Sequence, residues 1–165
     1  MRSRRVAVLG LLASLAIILG YVESLIPIGI GVPGIKIGFA NMVIVAVLYF
    51  DGAVSALIIS VIRVFLIGFM FGNMSSIIYS LAGALFSLFV MWGLKKFDRF
   101  SIVGVSAAGG ASHNAAKIAV ASVLLETTGI FYYLPVLFVF GIISGIIIGI
   151  TGGIITGRLK GIVRQ

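Results

Sequence analysis

Three cations, Arg63, Lys117 and Lys36, stand inside or beside long apolar stretches, while the other nine of the twelve Lys and Arg residues sit at segment ends. A guanidinium offers a planar fork that grips a carboxylate or phosphate through two parallel N–H groups, and an ammonium offers a compact point charge. His113 precedes Lys117 by four residues and Asn114 precedes it by three, so on a helix the three share a face. Lys36 follows the Gly- and Pro-rich stretch 26–34, and Asn41 opens the apolar segment after it. Tyr79 runs down one face of a further segment together with Ser76, Ser80, Gly83 and Ser87, a face that suits either a cavity wall or helix packing. The chemistry these types can do is recognition of an anionic or strongly polar small molecule. Arg63, Lys36, Asn41, His113, Asn114, Lys117 and Tyr79 are the expected contacts. The competing reading is structural: Arg63 and Lys117 bonded to helix-end carbonyls and Glu23, and His113 as a hydrogen-bonded packing residue.

Other chemistries lack their parts. The chain has two aspartates, Asp51 and Asp98, each alone, and no carboxylate pair for general acid–base work. One His, four acids and no Cys leave no thiolate or conventional metal site, no Cys nucleophile and no disulfide. No nucleotide-binding loop of the GxxxxGK[ST] type is present, so neither catalysis nor a cofactor is expected of this chain.

These side chains must be positioned by membrane helices. Of 165 residues, 61% are hydrophobic and 10% charged, and the mean hydropathy is +1.31. Soluble domains carry about 25% charge. Six segments read as spans: 6–22, 38–50, 53–71, 74–94, 102–125 and 131–157, with 24–37 as an irregular apolar loop. The expectation is an all-α, polytopic integral membrane protein, one compact domain of about six transmembrane helices over residues 1–165. The nine terminal cations fall in three clusters: Arg2, Arg4 and Arg5; Lys95, Lys96 and Arg99; Arg158, Lys160 and Arg164. With six crossings all three clusters lie on one side, which the positive-inside rule makes cytoplasmic, with both termini. A cell-membrane location follows, and the clusters' place at span ends argues for bilayer orientation and against nucleic acid.

Helical rise then sets depth. Arg63 lies ten residues before Asn73 at the outer turn, and Lys117 nine before Glu126. That puts both roughly 14–15 Å below the outer surface. A charge at this depth costs at least about 2.5–3.5 kcal/mol if it faces lipid. Only Glu23 and Glu126 lie on the outer side to balance Arg63, Lys117 and Lys36, and an anion would complete the balance. Small residues pattern the last two spans, with GVSAAGGASHNAAK at 104–117 and Gly141, Gly145 and Gly149 at four-residue spacing. Such faces let helices approach closely.

The string PGIKIGFAN (33–41), the Arg63-Val64 pair, GALFSL (83–88) and the 104–117 stretch resemble the heptaprenyl diphosphate synthase component I family, also called the Gx transporter family. The resemblance covers roughly residues 20–125. It implies kinship with the six-helix substrate-binding S components of energy-coupling-factor vitamin transporters. The pattern departs at Lys117, where the family commonly carries Gln, a change that would alter which anion is preferred. The implied function is an S-component-like subunit that takes an anionic vitamin-like, flavin-like or isoprenoid-phosphate molecule from the extracytoplasmic side. Its partners would be a transmembrane coupling subunit and ATPase subunits. Gly10-Ser14 and Ala16-Gly20 on the first span are the candidate docking faces. The alternatives are a non-catalytic membrane accessory of a prenyl diphosphate synthase and a stand-alone carrier.

Overall fold

The computed structural model describes residues 2–25 and 38–164. Among them the chain forms α1 (Arg2–Leu25), α2 (Phe39–Phe50), α3 (Ala53–Phe71), α4 (Met74–Lys96), α5 (Ile102–Leu124), a 3₁₀ turn (Gly129–Tyr133) and α6 (Leu134–Arg164). No strand occurs among the described residues. Each apolar segment of the sequence falls in one helix. The last is the exception: its first residues form the 3₁₀ turn, and α6 starts at Leu134 with Pro135 in its first turn. A proline suits that position because the N–H it lacks would have no partner inside the helix. Of the irregular segment expected over 24–37, Ser24 and Leu25 belong to α1 instead. Residues 26–37, Lys36 among them, lie outside the described residues.

Local chemistry explains the helix starts. The Asn73 side chain accepts the Ser76 N–H at 2.8 Å while the Ser76 hydroxyl accepts the Asn73 N–H at 3.0 Å, a reciprocal cap on α4. The Ser101 hydroxyl accepts the Gly104 N–H at 3.1 Å and opens α5. Gly38, before α2, has φ +81°, a left-handed conformation in which a Cβ is strained. At its other end α2 is closed by Lys95, whose Nζ donates to the Leu48 carbonyl at 2.6 Å and sits 4.9 Å from the Tyr49 ring centre.

Four helical stretches are long and apolar enough to cross a bilayer: Ser3–Leu25, Ala53–Phe71, Met74–Lys96 and Gly129–Leu159. Their outward faces expose Leu11, Phe69, Phe89 and Val139, a surface made for hydrocarbon. The protein is a membrane protein built as a compact all-α bundle. Two helices depart from the simple span. α2 has 12 residues, about 18 Å against a hydrocarbon core of about 30 Å. It is also the most enclosed element, with Val43, Val45, Val47 and Leu48 fully buried. α5 is long but carries the Gly, Ser, His, Asn and Lys run, and it is shielded from both sides by α4 and α6.

The α5–α6 contact is the most extensive in the bundle, and glycines make it possible. A Cβ on Gly110 would lie 2.1 Å from the Gly141 carbonyl oxygen, and one on Gly145 would lie 2.6 Å from that of Ser106. On α1 the two small-residue pairs divide. Ala16 and Gly20 are buried, and Gly20 packs against Ile67 and Ala40 of the same chain. They are therefore not a face for another subunit, correcting the sequence expectation. Gly10 and Ser14 remain exposed.

Candidate functional site

The close packing of small residues leaves a space inside the bundle. A cavity of about 360 Å³ is bounded by all six helices and descends along α4 from Asn73 to Met91. Arg63, Asn41, Tyr79, His113, Asn114 and Lys117 all line it. Six of the seven residues expected at the site thus share one space, and the seventh, Lys36, lies outside the described residues.

Arg63 is 9% exposed, Lys117 7% and Glu23 8%. The Arg63 Nη2 donates to the Asn41 Oδ1 at 3.2 Å. Its Nε is buried and has no hydrogen-bond partner among the described residues. A buried guanidinium N–H without an acceptor is costly to keep, about 1–3 kcal/mol or more for a charged group. Among the described residues, a cavity-lining arginine therefore keeps one buried N–H unsatisfied. Lys117 lies with its Nζ 5.6 Å from the centre of the Tyr79 ring, within range of a cation–π contact. Gly83 on α4 makes room for this arrangement, since a Cβ there would fall 2.8 Å from the Lys117 Cγ and 3.0 Å from the His113 carbonyl oxygen. Asn114 is anchored by an Nδ2 bond to the Leu137 carbonyl at 2.7 Å, leaving its Oδ1 as an acceptor.

Among the described residues, Glu23 is the carboxylate on the cavity wall. Its Oε1 accepts the Gly38 N–H, which ties α1 to the start of α2. Glu126, the other acid expected on the outer side, is exposed and off the cavity wall. It sits just past the end of α5 with φ 49°, where the Thr127 N–H reaches back to the Ser122 carbonyl at 3.2 Å. Among the described residues, the cavity wall thus carries the cations Arg63 and Lys117 against the carboxylate of Glu23. Sequence reasoning placed Glu23 only as a neutralising partner, and it missed Ser106 and Ser144 on the wall. A signal existed for Ser144, the sole polar side chain between residues 136 and 150. The expected serine face of α4 is present, with Ser76, Ser80 and Ser87 all lining the cavity. Among the described residues no group of three His, Cys, Asp or Glu converges as metal ligands would.

The family model for heptaprenyl diphosphate synthase component I matches residues 12–155. The chain belongs to this family. The matched region contains every residue that lines the cavity, from Gly20 to Ile148. The first and last basic clusters, Arg2 to Arg5 and Arg158 to Arg164, fall outside it. No curated protein and no solved structure matches the chain. The family description names a component of a synthase, and membership makes this chain a membrane-embedded member of that component family.

Proposed function

We propose that the protein is a non-catalytic substrate-binding subunit of a membrane transport system, related to the S components of energy-coupling-factor transporters. In this reading it captures a small anion from the extracytoplasmic side of the cell membrane, with both termini in the cytoplasm. One observation carries it: a buried Arg63 whose Nε has no partner among the described residues, on the wall of a cavity where cations outnumber carboxylates. Buried ionisable groups in membrane spans are expensive and mark ligand or ion sites. Arg63 supplies the fork, Lys117 the second charge, and Asn41, Asn114, His113 and Tyr79 the polar frame. Lys36 belongs to the same proposal on its place in the PGIKIGFAN string. No nucleotide-binding loop is present in the sequence, so an ATP-driven step would need ATPase subunits and a coupling subunit.

Native mass spectrometry of the gently purified protein tests this. The expected result is a small anion retained by the wild type and bound at least about tenfold more weakly by Arg63→Ala, with folded protein still recovered. Loss of the variant to degradation would instead make Arg63 a structural residue. Stable co-isolation with ATPase subunits supports the coupled form, and uptake by liposomes containing this chain alone supports a stand-alone carrier.

The family description favours a second reading, a membrane accessory of a prenyl diphosphate synthase. Prenyl transfer by a soluble partner that depends on adding this chain would support it. A purified protein with no bound anion would remove the first reading.

A further inference from the structure

The walls of the cavity below the cations narrow the class of ligand. Ser87 Oγ donates to the Gly109 carbonyl at 2.8 Å, and Ser144 Oγ donates to the Gly141 carbonyl at 3.2 Å. A serine hydroxyl has one proton to give and two lone pairs to receive. With its proton committed to a helix carbonyl, each of these hydroxyls offers the cavity acceptors only. Asn114 adds its Oδ1 as a further acceptor, one of its two Nδ2 hydrogens being used on the Leu137 carbonyl. Ser87 and Ser106 are buried and line the lower part of the cavity with Ser144, beside Val45, Met91 and Ile148. A volume near 360 Å³ stands at the low end of the roughly 300–1,000 Å³ range of small-molecule sites.

We infer that the ligand is a compact, hydrophilic anion whose uncharged body carries hydroxyl or amide N–H donors, rather than an isoprenoid phosphate or another greasy anion. This deepens the transport reading and rests on it. The anionic head meets Arg63 and Lys117, and the body reaches down toward Ser87, Ser144 and Asn114. A prenyl chain in the same place would strip water from these acceptors and return nothing, leaving each a buried polar group without its hydrogen bond. A hydroxylated body matches them one for one, and a site built on such matches rejects analogues that lack the donor.

Isothermal titration of the detergent-solubilised full chain at matched ionic strength decides it. The probes are ribose 5-phosphate and gluconate, hydroxylated anions with the two plausible heads. Their controls are inorganic phosphate and acetate, which are heads alone, and geranyl diphosphate, which has a greasy body. At least one hydroxylated probe is expected to bind about tenfold or more tighter than its bare head and than geranyl diphosphate. Ser87→Ala and Ser144→Ala should each weaken that probe about threefold or more while leaving inorganic phosphate unchanged. The inference is overturned if geranyl diphosphate binds as tightly as the better hydroxylated probe, or if neither gains over its head. If phosphate still binds in an Arg63-dependent way under that outcome, the anion-binding reading survives and only the ligand class falls. If no anion binds and Arg63→Ala changes nothing, both fall together.

Discussion

Arg63 gathers its meaning from three features: Asn41, which takes one guanidinium N–H; Glu23, which lines the same cavity; and a buried Nε that has no hydrogen-bond partner among the described residues. Replacing Glu23 by Gln keeps an oxygen that can accept the Gly38 N–H but removes the charge opposing Arg63. The apo protein should then melt at a lower temperature, because the carboxylate that shares the cavity with the buried Arg63 guanidinium has lost its charge. Phosphate should bind more tightly and restore the melting temperature. Weaker phosphate binding would instead make Glu23 part of ligand recognition. Gly83→Ala tests the second cation. A Cβ 2.8 Å from the Lys117 Cγ must push that side chain aside, an overpacking effect of about 1–3 kcal/mol. Anion affinity should fall with it, while Gly93→Ala, which meets nothing within 4 Å, should leave binding as it was. At this scale the sequence was informative where chemistry is rare. A charge in an apolar segment stands out, and so Arg63 and Lys117 were legible. Glu23 was legible only as a charge to be balanced, because its bond to Gly38 spans 15 residues of sequence and depends on how α1 meets α2.

Helix type and extent were readable from apolar run length and capping residues, and α3 begins and ends where the sequence placed it, at 53 and 71. Helix roles were not. α2 is a short, fully enclosed element because α1, α3 and α6 surround it, and nothing in FANMVIVAVLYF distinguishes a buried half-span from a lipid-facing one. The glycine spacing of α6 was legible as a packing face, but its partner was not: only the structure pairs Gly141 with Gly110 and Gly145 with Ser106. Gly110→Ala should therefore be among the most damaging single changes in the chain. The clash is with backbone at 2.1 Å, and no side chain can rotate away. Recovery of folded protein should collapse, whereas Gly10→Ala, open to its surroundings, should stabilise α1 by about 0.5–1 kcal/mol or be silent. The turn between α2 and α3 adds a pH-dependent tie. Arg5 on α1 and Ser55 on α3 both donate to Asp51. The Arg5 hydrogen bond is the main cause that holds the Asp51 carboxyl below its ordinary value. A depressed carboxyl contributes stability that is present above its unfolded value, near about 4, and lost as pH falls through the folded one. Asp51→Asn should lower the melting temperature at pH 7, and the gap from the wild type should close on acidification below about pH 4. A gap that persists at low pH would mean that the tie is not ionic.

For the molecule as a whole, the decisive quantity is which way the cavity opens. The Asn73 end of the cavity and the α3–α4 turn lie at one end of the bundle, and Lys95 and Lys96 close α4 at the other. The basic clusters orient the Lys96 end toward the cytoplasm by the positive-inside rule, so the Asn73 end should meet the exterior. Cysteine is absent from the natural chain, which makes single engineered cysteines clean reporters. Asn73 and Lys96 are both exposed, so a cysteine at either is reachable without disturbing the core. In intact cells a membrane-impermeant maleimide should label Asn73→Cys and Lys36→Cys but not Lys96→Cys, and permeabilisation should expose Lys96→Cys. Labelling of Asn73→Cys should also slow when a bound anion fills the cavity, since Asn73 is on its wall. If Asn73→Cys and Lys96→Cys react from the same side, α4 does not cross the membrane, and neither the outward-facing site nor transport from outside survives. If they react from opposite sides but with Lys96→Cys outside, the cavity faces the cytoplasm. The ligand would then be drawn from the cell interior, where an accessory role beside a cytoplasmic enzyme becomes the better account.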